Sequence, residues 1–127
     1  MSDQQTIEKL WEEKDNINFI ENKDAQNAIL EILDNLDKGK VRVCEKIDNQ
    51  WHVNQWLKKT ILLSFRVQDM ELISGGPSVE NGNTSWWDKV PSKFQNWNSG
   101  DFQNAGFRAV PNCIVRRSAF IAKSAVL

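Results

Sequence analysis

The chain has 127 residues with a formal net charge of −1, and 40% of it is hydrophobic against 26% charged. That is one domain's worth of chain with enough apolar content for a core and no overall basic excess, which argues against a nucleic-acid binder. No apolar run approaches the roughly 18 residues needed to span a bilayer, and Met1 to Gln5 carries no basic segment leading into an apolar one, so no secretory signal is read and the expected location is the cytoplasm.

In chain order, Ile7, Leu10 and Trp11 recur at helical spacing, which predicts a short amphipathic helix over 6–14. Ile17, Phe19 and Ile20 are expected to tuck the following connection beneath it. A second helix is expected over 24–38. Asp24 stands as its N-cap, and Ala25, Ala28, Ile29, Ile32, Leu33 and Leu36 form one stripe. Gly39 sits where a left-handed C-cap belongs, beside Lys38. The period then changes to two. Val41, Val43 and Ile47, then Trp51 and Val53, flank Asp48-Asn49, which predicts a β-hairpin over 41–53. Asn54 can cap a third helix carrying Trp56, Leu57, Thr60, Ile61, Ser64 and Phe65 on one face, with Leu62 and Leu63 widening the apolar arc.

Ser74 to Ser85 is a loop by composition. Its glycines are not followed by Gly-Lys-Ser/Thr, so a phosphate cradle is not read there. Trp86, Trp87, Val90, Phe94 and Trp97 supply apolar anchors around Pro91, and 100–105 predict one helical turn ended by Gly106. From Phe107 an extended run follows. Val115, Ile121 and Leu127 fall six residues apart with small or polar residues between them. That period is how a hexapeptide-repeat β-helix begins, and such a solenoid needs roughly three or more repeats to be stable. The chain is therefore expected to be either a fragment of a longer protein or a domain that lost its solenoid.

The chemistry-bearing residues are few. His52 is the single histidine, and Cys44 and Cys113 belong to no Cys-x-x-Cys pair, so neither a zinc set nor a Ser-His-Asp triad is expected. Both cysteines are expected to be ordinary buried thiols. Six tryptophans could offer stacking platforms for sugars or bases, but Trp11, Trp51 and Trp56 each lie on an apolar face and are expected in the core. Trp86 and Trp87 cannot both point inward on a strand, which leaves one free to meet a neighbouring subunit or a solenoid.

Three segments taken in order carry a resemblance. They are Asp48-Asn49-Gln50-Trp51 followed by Gln55 to Arg66, then Asp88-Lys89-Val90-Pro91-Ser92-Lys93-Phe94, then Gly106-Phe107-Arg108-Ala109-Val110-Pro111 with Val115-Arg116 and Ala119-Phe120-Ile121-Ala122. From about Leu36 to Leu127 the chain resembles the N-terminal domain of tetrahydrodipicolinate N-succinyltransferases; the first 35 residues agree in helical pattern.

The resemblance implies an α+β fold: a small helical N-terminal domain with a β-hairpin over 1–110, ending at 111–127 in the first turn of a hexapeptide-repeat left-handed parallel β-helix. It also implies a cytoplasmic homotrimer of lysine and diaminopimelate biosynthesis. That acyltransferase moves succinyl from its co-substrate succinyl-CoA to the amine of an opened tetrahydrodipicolinate. The CoA groove and the catalytic carboxylates belong to the β-helix, so no catalytic, cofactor-binding or metal-binding residue is expected in this chain. The 127 residues alone are expected to be inactive.

The one site residue carried over is Arg108, as a ligand of a substrate carboxylate. Its guanidinium offers a planar, permanently charged fork suited to that role. Spacing alone leaves open a surface arginine or a local ion pair. Arg116, Arg117 and Lys123 add positive charge nearby, and solvated turn positions account for them equally well. The alternative function is a non-catalytic binding or trimer-assembly module. Neither nucleic acid nor membrane is expected as a partner.

Overall fold

The computed structural model describes residues 1–79 and 82–127, and the chain divides into two compact units, Met1–Asp69 and Met70–Leu127. The class is α+β, with four helices and two antiparallel two-stranded hairpins among the described residues.

In the first unit, α1 (Asp3–Glu12) opens on a capping box. Ser2 Oγ accepts from the Gln5 amide at 3.3 Å, and Gln5 Oε1 accepts from the Ser2 amide at 3.0 Å. These bonds satisfy two donors that a bare helix end leaves orphaned, and they start the helix earlier than the apolar period alone predicts. Ile7 is fully buried, with Leu10 and Trp11 packed half-buried beside it. Phe19 enters the core, whereas Ile20 is 40% exposed. The Gln26 side-chain amide donates to both the Phe19 and Ile20 carbonyls, so the backbone there is held while the Ile20 side chain faces out.

Helix α2 (Lys23–Asp37) is capped by Asn22, whose Oδ1 accepts from the Ala25 amide at 3.0 Å, rather than by Asp24. Ala25, Ile29, Ile32, Leu33 and Leu36 are buried along one stripe. Gly39 has φ 69°, and the Lys40 and Gly39 amides donate to the Asn35 and Leu36 carbonyls. That pair of bonds is the Schellman closure, which uses a left-handed residue that glycine adopts without steric cost.

Strands β1 (Cys44–Ile47) and β2 (Gln50–Val53) pair antiparallel through the two-residue turn Asp48-Asn49, at φ 48° and 63°. Both turn residues being left-handed is the turn whose twist matches a hairpin. The hairpin is where expectation and structure part. Its strands pair with each other and stand clear of the helices, so every residue in them is exposed. Trp51 is 71% exposed and lies opposite Lys46, not in the core. Cys44 is exposed as well, and Cys113 is half-buried; both are free thiols. Period two identified the strands correctly but could not say which layer, if any, covers them.

Asn54 begins α3 (Gln55–Ser64) without capping it by its side chain. Its side-chain amide donates instead to the Arg42 carbonyl and to Glu45 Oε2, at 2.7 and 2.8 Å. Leu57, Thr60 and Leu63 are buried, and Leu62 is 51% exposed, so the apolar arc is narrower than its composition suggests. The buried Thr60 hydroxyl donates to the Trp56 carbonyl at 2.9 Å, which removes the penalty of burying it. Glu8 and Lys59 pair across α1 and α3, and Arg66 reaches back to the Lys14 carbonyl and to Asp15.

In the second unit, β3 (Glu71–Val79) and β4 (Gly82–Asp88) pair antiparallel, with Leu72 opposite Trp87 and Ile73 opposite Trp86. The stretch expected to be a loop is therefore largely strand. Glu80 and Asn81, which fall within that expected loop, lie outside the described residues. The register shifts between Ser74 and Ser78, and Gly75 within that shift sits at φ 127°. The loop-like glycine thus serves an irregularity inside a hairpin.

Helix α4 (Ser99–Ala105) is short and doubly capped. Asn98 Oδ1 accepts from the Gly100 and Asp101 amides, and Asp101 Oδ2 accepts from the Asn98 amide. The helix ends, as its sequence predicts, at Gly106, whose amide donates to the Phe102 carbonyl at 2.9 Å. Beyond it the described chain forms two isolated bridges, Ser92 with Arg116 antiparallel and Arg108 with Val126 parallel. Asn112, Ser118 and Ser124 take φ of 68°, 74° and 67°, each six positions after the last.

Candidate functional site

Arg108 is placed by what precedes it. Phe94, Trp97, Phe102 and Phe107 form a ring cluster with centroids 5.0–6.3 Å apart in tilted and edge-on contacts. These are the separations at which aromatic quadrupoles attract. Phe107 is 9% exposed and anchors the chain immediately before Arg108. Gly106, at φ 74°, turns the chain from α4 into this run.

The backbone of Arg108 is then held on both sides of its peptide. Its amide donates to the Ala125 carbonyl at 2.9 Å, and its carbonyl accepts from the Leu127 amide at 2.9 Å. The neighbouring rungs are Ser124 amide to Gly106 carbonyl at 2.7 Å and Val110 amide to Leu127 carbonyl at 3.1 Å. The side chain of Arg108 is exposed. Among the described residues no carboxylate or carbonyl takes up its guanidinium. Of the two ordinary readings of this residue, the local ion pair is therefore not what is seen. A fixed backbone with a free, permanently charged fork is what recognition of an external carboxylate requires.

The other sequence-identified cations divide. Arg116 donates through Nη2 to Asp88 Oδ2, which ties the end of β4 to the bridge at Ser92 and Arg116. The Arg116 hydrogen bond holds the Asp88 carboxyl below its ordinary pKa, with the Lys89 amide adding to the effect. The same clip is closed by the Lys93 amide on the Val115 carbonyl and the Arg117 amide on the Pro91 carbonyl, both at 2.9 Å. Arg116 is thus a structural cation. Asp88 was not singled out as a site residue from sequence; only its place in the second resembling segment marked it. Lys123 lies against Gly106, where a Cβ would stand 3.3 Å from Lys123 Cγ.

No group of three or more potential metal ligands is found among the described residues. His52 is an exposed residue of β2 and lies opposite Glu45 in the hairpin. Among the described residues no helix is long and apolar enough to cross a membrane.

Residues 2–67 match the family described as tetrahydrodipicolinate N-succinyltransferase N-terminal. The chain belongs to that family. The match takes in the first 35 residues, where the sequence had offered only a helical pattern. Members of similar sequence include the 2,3,4,5-tetrahydropyridine-2,6-dicarboxylate N-succinyltransferases of Brucella ovis, Brucella canis and Brucella melitensis, each 56% identical over 97% of the chain. The chain spans 42% of the length of these relatives. The alignment over 97% of the chain extends past the family's N-terminal segment into the Arg108 region.

Proposed function

We propose that this chain is the N-terminal portion of an N-succinyltransferase that moves succinyl from succinyl-CoA to the amine of an opened tetrahydrodipicolinate, a step of lysine and diaminopimelate synthesis. The observation that carries the reading is 56% identity over nearly the whole chain to enzymes of that name. The pinned backbone and unengaged guanidinium of Arg108 give the segment a part in it. The relatives' substrate is named a 2,6-dicarboxylate, and the fork of Arg108 would accept one of its carboxylates through two parallel hydrogen bonds.

In the reaction the amine nitrogen attacks the thioester carbonyl. A tetrahedral intermediate forms, the carbon–sulfur bond breaks, and the thiolate leaves as the nitrogen gives up its proton. Oxyanion stabilisation and proton transfer fall to groups outside this chain. Arg108 contributes position, which converts a bimolecular encounter into a held one. The chain by itself is inactive on this reading.

Residues 111–127 would begin a left-handed parallel β-helix. The supporting features are the six-residue recurrence of left-handed backbone at Asn112, Ser118 and Ser124, and the parallel return of Val126 onto Arg108. The assembly would be a cytoplasmic trimer. A second reading, a non-catalytic assembly module, is favoured by the apolar exposure of Leu72 and Trp87 on one face of the second hairpin.

The test is kinetic. In the intact enzyme, Arg108→Gln should raise KM for the amine acceptor about tenfold or more while leaving KM for succinyl-CoA near wild type. An unchanged acceptor KM removes Arg108 from the site. Absence of turnover by the intact wild-type protein leaves the assembly reading standing.

A further inference from the structure

A dicarboxylate presents two anionic ends, and one guanidinium fork holds one of them. The second unit contains six lysines and arginines. Arg116 is paired with Asp88, Lys93 lies over the Trp97 ring at 5.9 Å, and Lys89 and Arg117 are engaged as well. Among the described residues, Arg108 and Lys123 are the cations of this unit whose charged ends no neighbour takes up.

The chain lays the two segments that carry them side by side. The Ser124 amide on the Gly106 carbonyl and the Arg108 amide on the Ala125 carbonyl lay the run from Lys123 to Val126 beside the run from Ala105 to Arg108. Lys123 is also seated rather than loose. A Cβ on Gly106 would stand 3.3 Å from Lys123 Cγ and 3.7 Å from its Cβ and Cδ. The aliphatic stem therefore runs close along Gly106, where an added Cβ would make it give by a few tenths of an ångström. Three stem carbons lie near the glycine while the residue as a whole stays exposed, so its ammonium is open to an anion from solvent. Gly106 serves twice, as the left-handed end of α4 and as the seat of this lysine.

We propose that Lys123 is the second carboxylate-binding residue beside Arg108, the two cations together selecting a small dicarboxylate over a monocarboxylate. The proposal rests on the reading of Arg108 as a substrate ligand.

The test is a titration of the 127-residue chain with pimelate, a straight-chain dicarboxylate, and with hexanoate, which has one carboxylate, followed by backbone amide NMR. Pimelate should shift the amides of Gly106 to Arg108 and of Lys123 to Val126 together. Lys123→Gln should weaken pimelate about tenfold and hexanoate little. Lys123→Arg should keep most of the affinity and of the preference for pimelate; a packing role for the stem alone would treat the glutamine and arginine variants alike, since both keep Cβ, Cγ and Cδ. Undisturbed shifts elsewhere in each variant establish that it is folded. Pimelate binding unchanged in Lys123→Gln, an equal loss for both ligands, or no shifts at these amides in the wild-type chain would each overturn the proposal. None of these readings requires turnover, so they fail or succeed separately from the transferase assignment, which falls only with the kinetics of the intact enzyme.

Discussion

The carboxylate of Asp88 and the guanidinium of Arg116 join the last residue of β4 to a segment 28 positions further along the chain. The pair is solvent-accessible, so its effect is one of direction rather than of large energy. Its bond holds the Asp88 pKa below the ordinary carboxylate value. A depressed folded pKa contributes stability that is present above the unfolded pKa and lost as pH falls through the folded one. Amide exchange at Lys93 and Arg117, whose bonds close the same clip, should therefore be steady from neutral pH down to about pH 5. Once intrinsic exchange is corrected for, protection should fall below about pH 4. Asp88→Asn should remove that acid-dependent step. A step of the same size in the variant would assign it to other carboxylates.

The core of the first unit is tested at Ile29, which is fully buried in the middle of the α2 stripe. Ile29→Ala should destabilise the unit by about 2–5 kcal/mol, combining lost transfer energy with the cavity left behind. Denaturant unfolding followed by far-ultraviolet circular dichroism would measure it.

Gly39 and Gly106 both take left-handed backbone, at φ 69° and 74°. Gly39→Ala should cost about 1–2 kcal/mol through backbone strain alone. Gly106→Ala should carry a similar strain and also crowd the Lys123 stem, which must give by a few tenths of an ångström. It should therefore weaken pimelate binding, which Gly39→Ala should not. Paired melts and titrations of the two variants separate these effects.

Trp51 makes the opposite case. With 71% of its surface exposed, Trp51→Ser should change stability by no more than about 0.5 kcal/mol. A loss of several kcal/mol in a chemical melt would show that the hairpin is covered in solution.

Much of this architecture is legible in the residues themselves. The stripe from Ala25 to Leu36 and the glycine after it dictate α2 and its closure, because helical period and left-handed capping are local. The turn at Asp48-Asn49 is local too. What the residues do not encode nearby is burial between layers, which is why Trp51 and Leu62 face out and Cys44 is exposed. The Ser74 to Ser85 stretch misleads for another reason. Its glycines and asparagines are turn formers, yet an irregular hairpin tolerates them where a regular strand would not. At the candidate site, the Gly-Phe-Arg run is what singles out Arg108. The seating of Lys123 on Gly106 depends on residues distant in sequence and had no local signal.

The hairpin that stands clear of the helices also makes the molecule easy to extend. Its turn, Asp48-Asn49, lies between strands that depend on no other element for their pairing. Exposed turns of this kind tolerate spliced-in sequence well. A fluorophore-bearing loop or an affinity epitope inserted there would report on the protein without entering the helical core. The second unit, with its paired arginine and its seated lysine, would be left unaltered in sequence.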